Sequence, residues 1–252
     1  MMLPLFALTT DFGPSSPYVA QMKGVILSGV PNARIVDVSH AIPPQSIRAA
    51  EVVLRSCAFC MPTGTVHVVV VDPGVGTDRR AIAVSTAGTV FVGPDNGVLG
   101  QITARPDAMV VALDNRALFR QPVSSTFHGR DIFAPVAVEL ACGLSLTDVG
   151  TPIDDPVAST LPKASARGNV VCGETLCADH FGNLLTNIPW RAANDARITV
   201  GGVPARVVET YGKGGDGELL AVGGSDGFLE IAMKQARASD LFGNGVEVLC
   251  GR

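Results

Sequence analysis

No run of lysine and arginine occurs in this chain. Its 19 basic residues are outnumbered by 23 acidic ones, for a net charge of −4. Nucleic-acid binding needs a basic face that neutralises phosphates, and this composition supplies none. Also missing is any stretch of the roughly 18 apolar residues that a membrane span requires. The opening MMLPLFALTT is apolar but has neither a basic leader nor a small-residue cleavage site. It is therefore expected to form a first strand, and the protein to be cytoplasmic with no membrane partner. Cysteine is scarce, with six in 252 residues, at positions 57, 60, 142, 172, 177 and 250. Cys57-Ala-Phe-Cys60 has CxxC spacing, but no second CxxC or histidine pair follows at zinc-site distance. These thiols read as ordinary core cysteines of a reducing compartment, not as a metal or redox site.

What the chain does have is apolar material. Hydrophobic residues make up 47% and charged residues 17%, which excludes a disordered chain and suits one large or two modest domains. The 28 glycines and 17 prolines are dispersed, so they punctuate many short elements and form no low-complexity block.

The first half alternates strand and helix patterns. Strands are expected at 5–10, 33–38, 66–71, 81–85, 89–92 and 109–113, and helices at 18–29, 45–60, 97–103 and 131–142. Val66 to Val71, β-branched throughout except at His67, reads as a central strand covered on both faces. Thr86-Ala87-Gly88 reads as a hairpin turn. The alternation predicts a largely parallel sheet with helices on both faces over residues 1–150. Residues 151–167, with three prolines and no periodicity, read as a linker. Short β-like runs at 169–172, 197–200, 205–210, 218–222 and 246–249, separated by glycine-rich turns, predict a smaller antiparallel sheet or barrel over 168–252.

In such sheets ligands bind beyond the carboxyl ends of strands, so Asp11 and Asp72 draw attention. A strand-end aspartate often only caps a turn. For Asp72 the neighbours argue for more: Pro73-Gly74-Val75-Gly76 can bring backbone N–H groups near a ligand, and Arg79 or Arg80 can hold an ionised carboxylate. His128, in Ser-Thr-Phe-His-Gly-Arg-Asp before a helix, is either an active-site donor or base or a capping histidine. His40, His67 and His180 are weaker candidates, and His67 reads as structural. Walker, GxGxxG, HExxH and EF-hand patterns are all missing. Gly223-Gly224-Ser225-Asp226-Gly227 satisfies the GxSxG nucleophile elbow. That elbow needs a later histidine, and the last one is His180, which argues against a triad on Ser225.

Together the segments TTDFG, YVAQMKGV, IVDVSH with IPP, VVVVDPGVGTDRR, FVGPDNGVL, TFHGRDIFAP, ADHFGNLLTN and SDGFLEIA resemble, in order and from Leu8 to Ala232, one family. It is that of the S-adenosyl-L-methionine (SAM) hydroxide adenosyltransferases, relatives of the fluorinases and chlorinases. The resemblance implies an N-terminal α/β domain joined to a C-terminal β-barrel. It also implies a homotrimer whose ligand lies between the first domain of one subunit and the barrel of the next. It makes Asp72, Arg79 and His128 the catalytic set, acting on a water or hydroxide that attacks the ribose C5′. Asp11 would hold the ribose hydroxyls, and Phe181, Asn183, Ser225, Glu230 and the backbone near Ala232 would contact the adenine or methionine. SAM is then a small-molecule substrate, and no cofactor or metal is implied.

The chemistry fits these residue types. A neutral thioether leaves a sulfonium without a general acid, so the enzyme must mainly hold a partly desolvated nucleophile in line. Arginine is a poor base, with a pKa above about 12, so the residue that accepts the proton stays open among the trio. The halogenases of the same family carry an aromatic residue in place of Asp72 and Tyr-Ser in place of His128-Gly129. A carboxylate at 72 would repel a halide and so favours water. A nucleoside-binding regulator without turnover would not need the whole trio. His128→Ala and Gly129→Ser are expected to affect rate more than stability.

Overall fold

The computed structural model describes residues 3–251. They form two units divided between Thr160 and Leu161. Met1 and Met2 of the expected first strand lie outside the described residues.

In the N-terminal unit, β1 (Leu5–Thr10) leads to α1 (Pro17–Gly29), β2 (Arg34–Ser39), α2 (Ile47–Cys57) and β3 (Val66–Val70). Then follow β4 (Ala81–Thr86), β5 (Thr89–Pro94), α3 (Gly100–Thr103), β6 (Met109–Ala112), α4 (Ala134–Ala141), α5 (Leu146–Val149) and β7 (Thr151–Pro152). Local chemistry sets the helix starts. Ser16 caps α1 by accepting from Tyr18 N, with Pro17 at the first helical position, and Ser46 caps α2 by accepting from Ala49 N.

The seven strands run β2-β1-β3-β5-β4-β6-β7. β2, β1, β3 and β5 pair in parallel, whereas β4, β6 and β7 are added antiparallel. The largely parallel sheet is thus mixed on one side. Ala87 and Gly88 both adopt positive φ (49° and 70°), which makes a tight hairpin, and a turn that short permits only an antiparallel neighbour. Every residue of β1 and β3 is buried, as strands covered on both faces should be. One face packs Leu8, Val68 and Val92 against Met22 and Ile26 of α1 and Val136 and Ala137 of α4. On the other, His67 stacks on Phe91 with centroids 4.7 Å apart, and Phe59, just beyond α2, meets Phe91 edge-on. Burial pulls His67 down to a pKa of about 4, consistent with its structural reading.

Segment 151–167 is divided between the units. Thr151–Pro152 is an edge strand of the first sheet, and the chain beyond it is tied down by buried acids. Asp95 accepts from Val157 N (2.8 Å), and Glu51 accepts from Ser159 Oγ (2.5 Å) and Thr160 Oγ1 (2.6 Å).

The C-terminal unit holds β8 (Ser165–Arg167), β9 (Val170–Ala178), β10 (Leu184–Pro189), β11 (Arg197–Val200), β12 (Val203–Val207), β13 (Leu219–Gly223), β14 (Phe228–Met233) and β15 (Glu247–Gly251). The order β10-β14-β13-β12-β11-β15-β9 closes through a β9–β10 pairing into a seven-stranded barrel, with β8 added outside β9. Closure leaves the barrel strands no free edge. One pair, β12–β13, is parallel, contrary to a purely antiparallel expectation. The barrel is filled by Leu184, Ile188, Ile198, Val200, Leu229, Ile231 and Val248. Strands β10 and β14 were absent from the sequence reading, because LLTNIP and FLEIAM lie inside polar, glycine-flanked motifs that obscure their alternation.

Among the described residues no helix is long and apolar enough to cross a membrane. All six cysteines are free, but only Cys250 is buried; Cys60 and Cys142 are exposed, which corrects the core reading for those two. Burial, with Cys60 beside it, pushes the Cys57 thiol up to about 11, far from a reactive thiolate.

Candidate active site

Asp72 stands two residues beyond the last residue of β3, and Arg79 two residues before β4. Arg79 Nε donates to both carboxylate oxygens of Asp72 (2.8 and 3.1 Å), and Nη2 adds a further bond to Oδ2. The pair is buried, with side-chain exposures of 10% and 4% for Arg79 and Asp72. That geometry is the fork-on-carboxylate arrangement available to arginine and not to lysine. Nη2 also approaches His128 Nδ1 at 2.7 Å. A guanidinium only donates, so Nδ1 is the acceptor and the neutral ring carries its proton on Nε2. Burial, and then the charge of Arg79, pull His128 below the usual histidine range against the opposing charges of Asp72 and Asp131. The three side chains named from sequence are therefore one hydrogen-bonded cluster with a neutral histidine. Arg80, its alternative, turns away to Asp95 and Asp155.

The backbone explains how 49 residues of separation close to 2.7 Å. Gly76 has φ +78°, and a Cβ there would lie 2.2 Å from the Ser125 carbonyl oxygen. The glycine therefore brings the Asp72 loop against the His128 loop. Within the Asp72 loop, Val75 N and Thr77 N bond back to Asp72 O and Gly74 O. His128 precedes a π-helical turn, Gly129–Phe133, that leads into α4, where a plain α-helix from 131 was expected. Such turns gather at functional sites because they re-aim side chains. Burial alone would raise the Asp131 carboxyl, but bonds from Arg130 and Ser124 N hold it below its usual range, and it anchors both ends of the His128 loop. At Gly129 a Cβ would press on Met22 Sδ (3.1 Å), Phe127 (3.3 Å) and Val70 (3.4 Å). A serine there would therefore also have to shift these side chains by a few tenths of an ångström.

Asp11, Asp72 and His128 line one cleft of about 240 Å³, with Phe12, Gln45 and Phe127. Asp11 Oδ2 accepts from Gln45 N at 2.7 Å. Gln45 holds φ +63°, a strained value for a side-chain-bearing residue and the sort of outlier that clusters at functional sites. Nothing in one sequence signals that strain.

The barrel unit has its own pocket of about 870 Å³, lined by Phe181, Asn183, Ser225 and Glu230 from the predicted set. Asp179 and Tyr211, which sequence reasoning missed, also line it. Asn183 donates through N (2.8 Å) and Nδ2 (2.9 Å) to the Asp179 carboxylate, so its Oδ1 is the end left to accept. Tyr211 donates to Glu230 Oε2 at 2.6 Å; burial and the carboxylate push its phenol well above the usual tyrosine range. Phe181 is 73% exposed, an aromatic face held out to solvent. The Ala232 side chain packs with Val208, Leu220 and Val222, while its neighbours Met233 and Lys234 line the pocket. Ser225 sits in the β13–β14 turn, between two strands; an elbow would need a strand and a helix. Among the described residues no cluster of three His, Cys, Asp or Glu side chains could hold a metal ion.

A fold of this kind, with a mixed α/β sheet, a closed barrel and a buried Asp–Arg–His cluster at the strand ends, can be set beside known proteins. Residues 6–150 match the SAM hydroxide adenosyltransferase N-terminal domain, and residues 173–248 its C-terminal domain. The chain belongs to the SAM hydroxide adenosyltransferase family. It is 39% identical to the (R)-S-adenosyl-L-methionine hydrolase of Salinispora tropica, over 95% of this chain and 94% of that one. The hydrolase of the same name from Thermus thermophilus is 38% identical over 96% of both chains. A fluorinase of an Actinoplanes species is 29% identical over 73% of this chain and 72% of the relative. The crystal structure of a conserved Thermotoga maritima protein covers 98% of this chain and all (100%) of its own, at 38% identity and a TM-score of 0.90.

Proposed function

We propose that this protein hydrolyses S-adenosyl-L-methionine, as the (R) sulfonium epimer named for its relatives, to adenosine and L-methionine. The observation that carries the reading is the Asp72–Arg79–His128 cluster, with a carboxylate where the halogenases carry an aromatic residue. Water attacks C5′, the C5′–S bond breaks with its electron pair going to sulfur, and one proton is released. His128 already uses Nδ1 as an acceptor, so it offers Nε2–H to the water oxygen and is not the base. Arg79 is a poor base. Asp72 is then the proton acceptor, and Arg79 fixes which of its lone pairs face the water. Asp11, its Oδ2 tied to Gln45 N, presents Oδ1 to the ribose hydroxyls. Two carboxylates in one cleft also favour a cationic sulfonium over a halide.

The barrel pocket takes the adenine and methionine ends, with Phe181 as the stacking face and Asn183 Oδ1 and Ser225 as polar contacts. We further propose a homotrimer in which the cleft of one subunit meets the barrel pocket of the next. The size of the cleft, about 240 Å³, supports this, being below the roughly 300 Å³ at which pockets begin to enclose a whole ligand of this class. A cytoplasmic location goes with this substrate.

The test is turnover of each sulfonium epimer in 18O-labelled water, with and without chloride. The expected products are adenosine labelled at the 5′-hydroxyl and methionine, in both salts. Formation of 5′-chloro-5′-deoxyadenosine, or adenosine without label, overturns the reading. Mixing Asp72→Ala with a Phe181→Ala/Asn183→Ala variant should restore activity by subunit exchange. Failure of exchanged mixtures to recover any activity would rule out a shared site.

A further inference from the structure

We propose that Asp95 and Asn96, in the turn after β5, are positioning residues that hold Asp72 and Arg79 in register; this rests on the catalytic reading above. The sheet order explains why this turn is suited to the task. β3 and β4 are not neighbours, because β5 lies between them. Asp72 leaves the end of β3 and Arg79 enters β4, so the two partners flank the carboxyl end of β5. The residues that follow Pro94 reach to opposite sides.

Toward β3, Asn96 Nδ2 donates to the Val71 carbonyl at 2.9 Å, and Oδ1 accepts from Val98 N at 3.1 Å. Val71 is fully buried and its peptide carries Asp72, so this bond fixes the plane from which the carboxylate projects. Toward β4, Asp95 N donates to the Arg80 carbonyl at 2.9 Å. The same carbonyl accepts from Arg79 Nη1 at 3.2 Å. The Asp95 carboxylate, with a side-chain exposure of 2%, grips the Arg80 guanidinium (2.8 Å to Nε) and is itself oriented by Val157 N. One turn thus anchors the carbonyl before Asp72 and the carbonyl that steadies the Arg79 guanidinium. The ion pair is held from both sides by a fixed spacer, so its two ends cannot drift with the loop that joins them. A displacement of about 1 Å at such a site is enough to cost on the order of a hundredfold in rate.

A control with the same local bonding exists elsewhere. Asn115 donates Nδ2 to Asp148 O at 2.9 Å and accepts from Ala117 N at 3.3 Å, but touches neither Asp72 nor Arg79. Asn96→Ala, Asn96→Asp and Asn115→Ala would be compared with wild type. Asn96→Asp keeps the acceptor for Val98 N and replaces the donor with an oxygen that repels the Val71 carbonyl, while Asn96→Ala removes both bonds and adds no charge; agreement of the two guards against a purely local charge effect. Expected for both Asn96 variants is a kcat at least about tenfold lower with KM within about twofold, while Asn115→Ala keeps wild-type kcat. The side-chain Nε–H resonance of Arg79 supplies a readout that does not depend on turnover. It should be sharp in wild type and Asn115→Ala, and broadened or shifted in the Asn96 variants. Wild-type kcat and an unchanged Arg79 resonance in folded Asn96→Asp would overturn the proposal. Should wild type fail to hydrolyse SAM, the functional reading falls and the resonance alone decides whether the turn holds the pair.

Discussion

The cleft at the strand ends and the pocket on the barrel handle polar groups in opposite ways. In the cleft, Asp72, Arg79 and His128 are already bonded to one another, with the Asp72–Arg79 pair buried and Arg79 tied to the Arg80 carbonyl. In the barrel, Phe181 is largely exposed, and Tyr211 and Glu230 bond to each other at the rim of a pocket more than three times larger (about 870 against about 240 Å³). The difference suits the two tasks proposed for these sites. Placing a nucleophile in line rewards rigidity, because misplacement is amplified in the rate. Recognising a flat base rewards an accessible aromatic face, which contributes affinity through stacking and needs less fixed geometry.

Substitutions can break this contrast, the largest effect coming from the cleft. Asp72→Ala should lower kcat by about a thousandfold, as loss of a preorganised charged group does. Circular dichroism should still show a folded chain, and an active variant would remove Asp72 from the mechanism. Gly76→Ala comes next, because its Cβ would collide with the Ser125 carbonyl at a left-handed backbone position. We expect kcat to fall on the order of a hundredfold as the two loops part, together with a stability loss of about 2 kcal/mol by chemical denaturation. A wild-type rate would mean that the loops are held by other contacts. On the barrel side, Phe181→Ala should raise KM about tenfold and leave kcat within about twofold, the value of one aromatic stacking contact. A kcat defect as large as that of Asp72→Ala would erase the division of labour.

The smallest effect tests the sheet beneath the cleft. His67 falls from its usual 6.5 to about 4 through burial. The folded state therefore binds its proton less readily than the unfolded chain. The stability it permits is complete above pH 6.5 and is lost as pH falls toward 4. That window is worth on the order of 3 kcal/mol. His67→Phe, which keeps the stack on Phe91, should flatten the pH dependence of stability between those values without changing kcat at neutral pH. Denaturation midpoints measured against pH decide it: an unchanged slope would mean that other groups carry the acid sensitivity.

Much of the cleft was legible in the chain. The β-branched run ending in Asp72, the nearby arginines and the histidine before a helix all sit where strand-end chemistry is expected, and the family motifs chose Arg79 over Arg80. The barrel pocket was less legible. Asp179 lies inside the motif ADHFGNLLTN but was passed over for Phe181 and Asn183, Tyr211 belongs to no motif, and β10 and β14 alternate too weakly among polar neighbours to stand out. Gly129 shows a related limit: its place beside His128 is visible in sequence, while only packing reveals that Met22, Phe127 and Val70 leave its Cβ little room.

The sequence alone determined the class of fold and the two-part division, and it singled out Asp72, Arg79 and His128 as one group. Those depend on local periodicity and on side-chain type, which a linear chain displays. Only the tertiary structure decided that Arg79 faces both Asp72 and Nδ1 of His128, and that the turn at 95–96 bonds the carbonyls of Val71 and Arg80. Those facts depend on β5 inserting between β3 and β4 and on Gly76 meeting Ser125. Such contacts join residues far apart along the chain, and no local pattern records them.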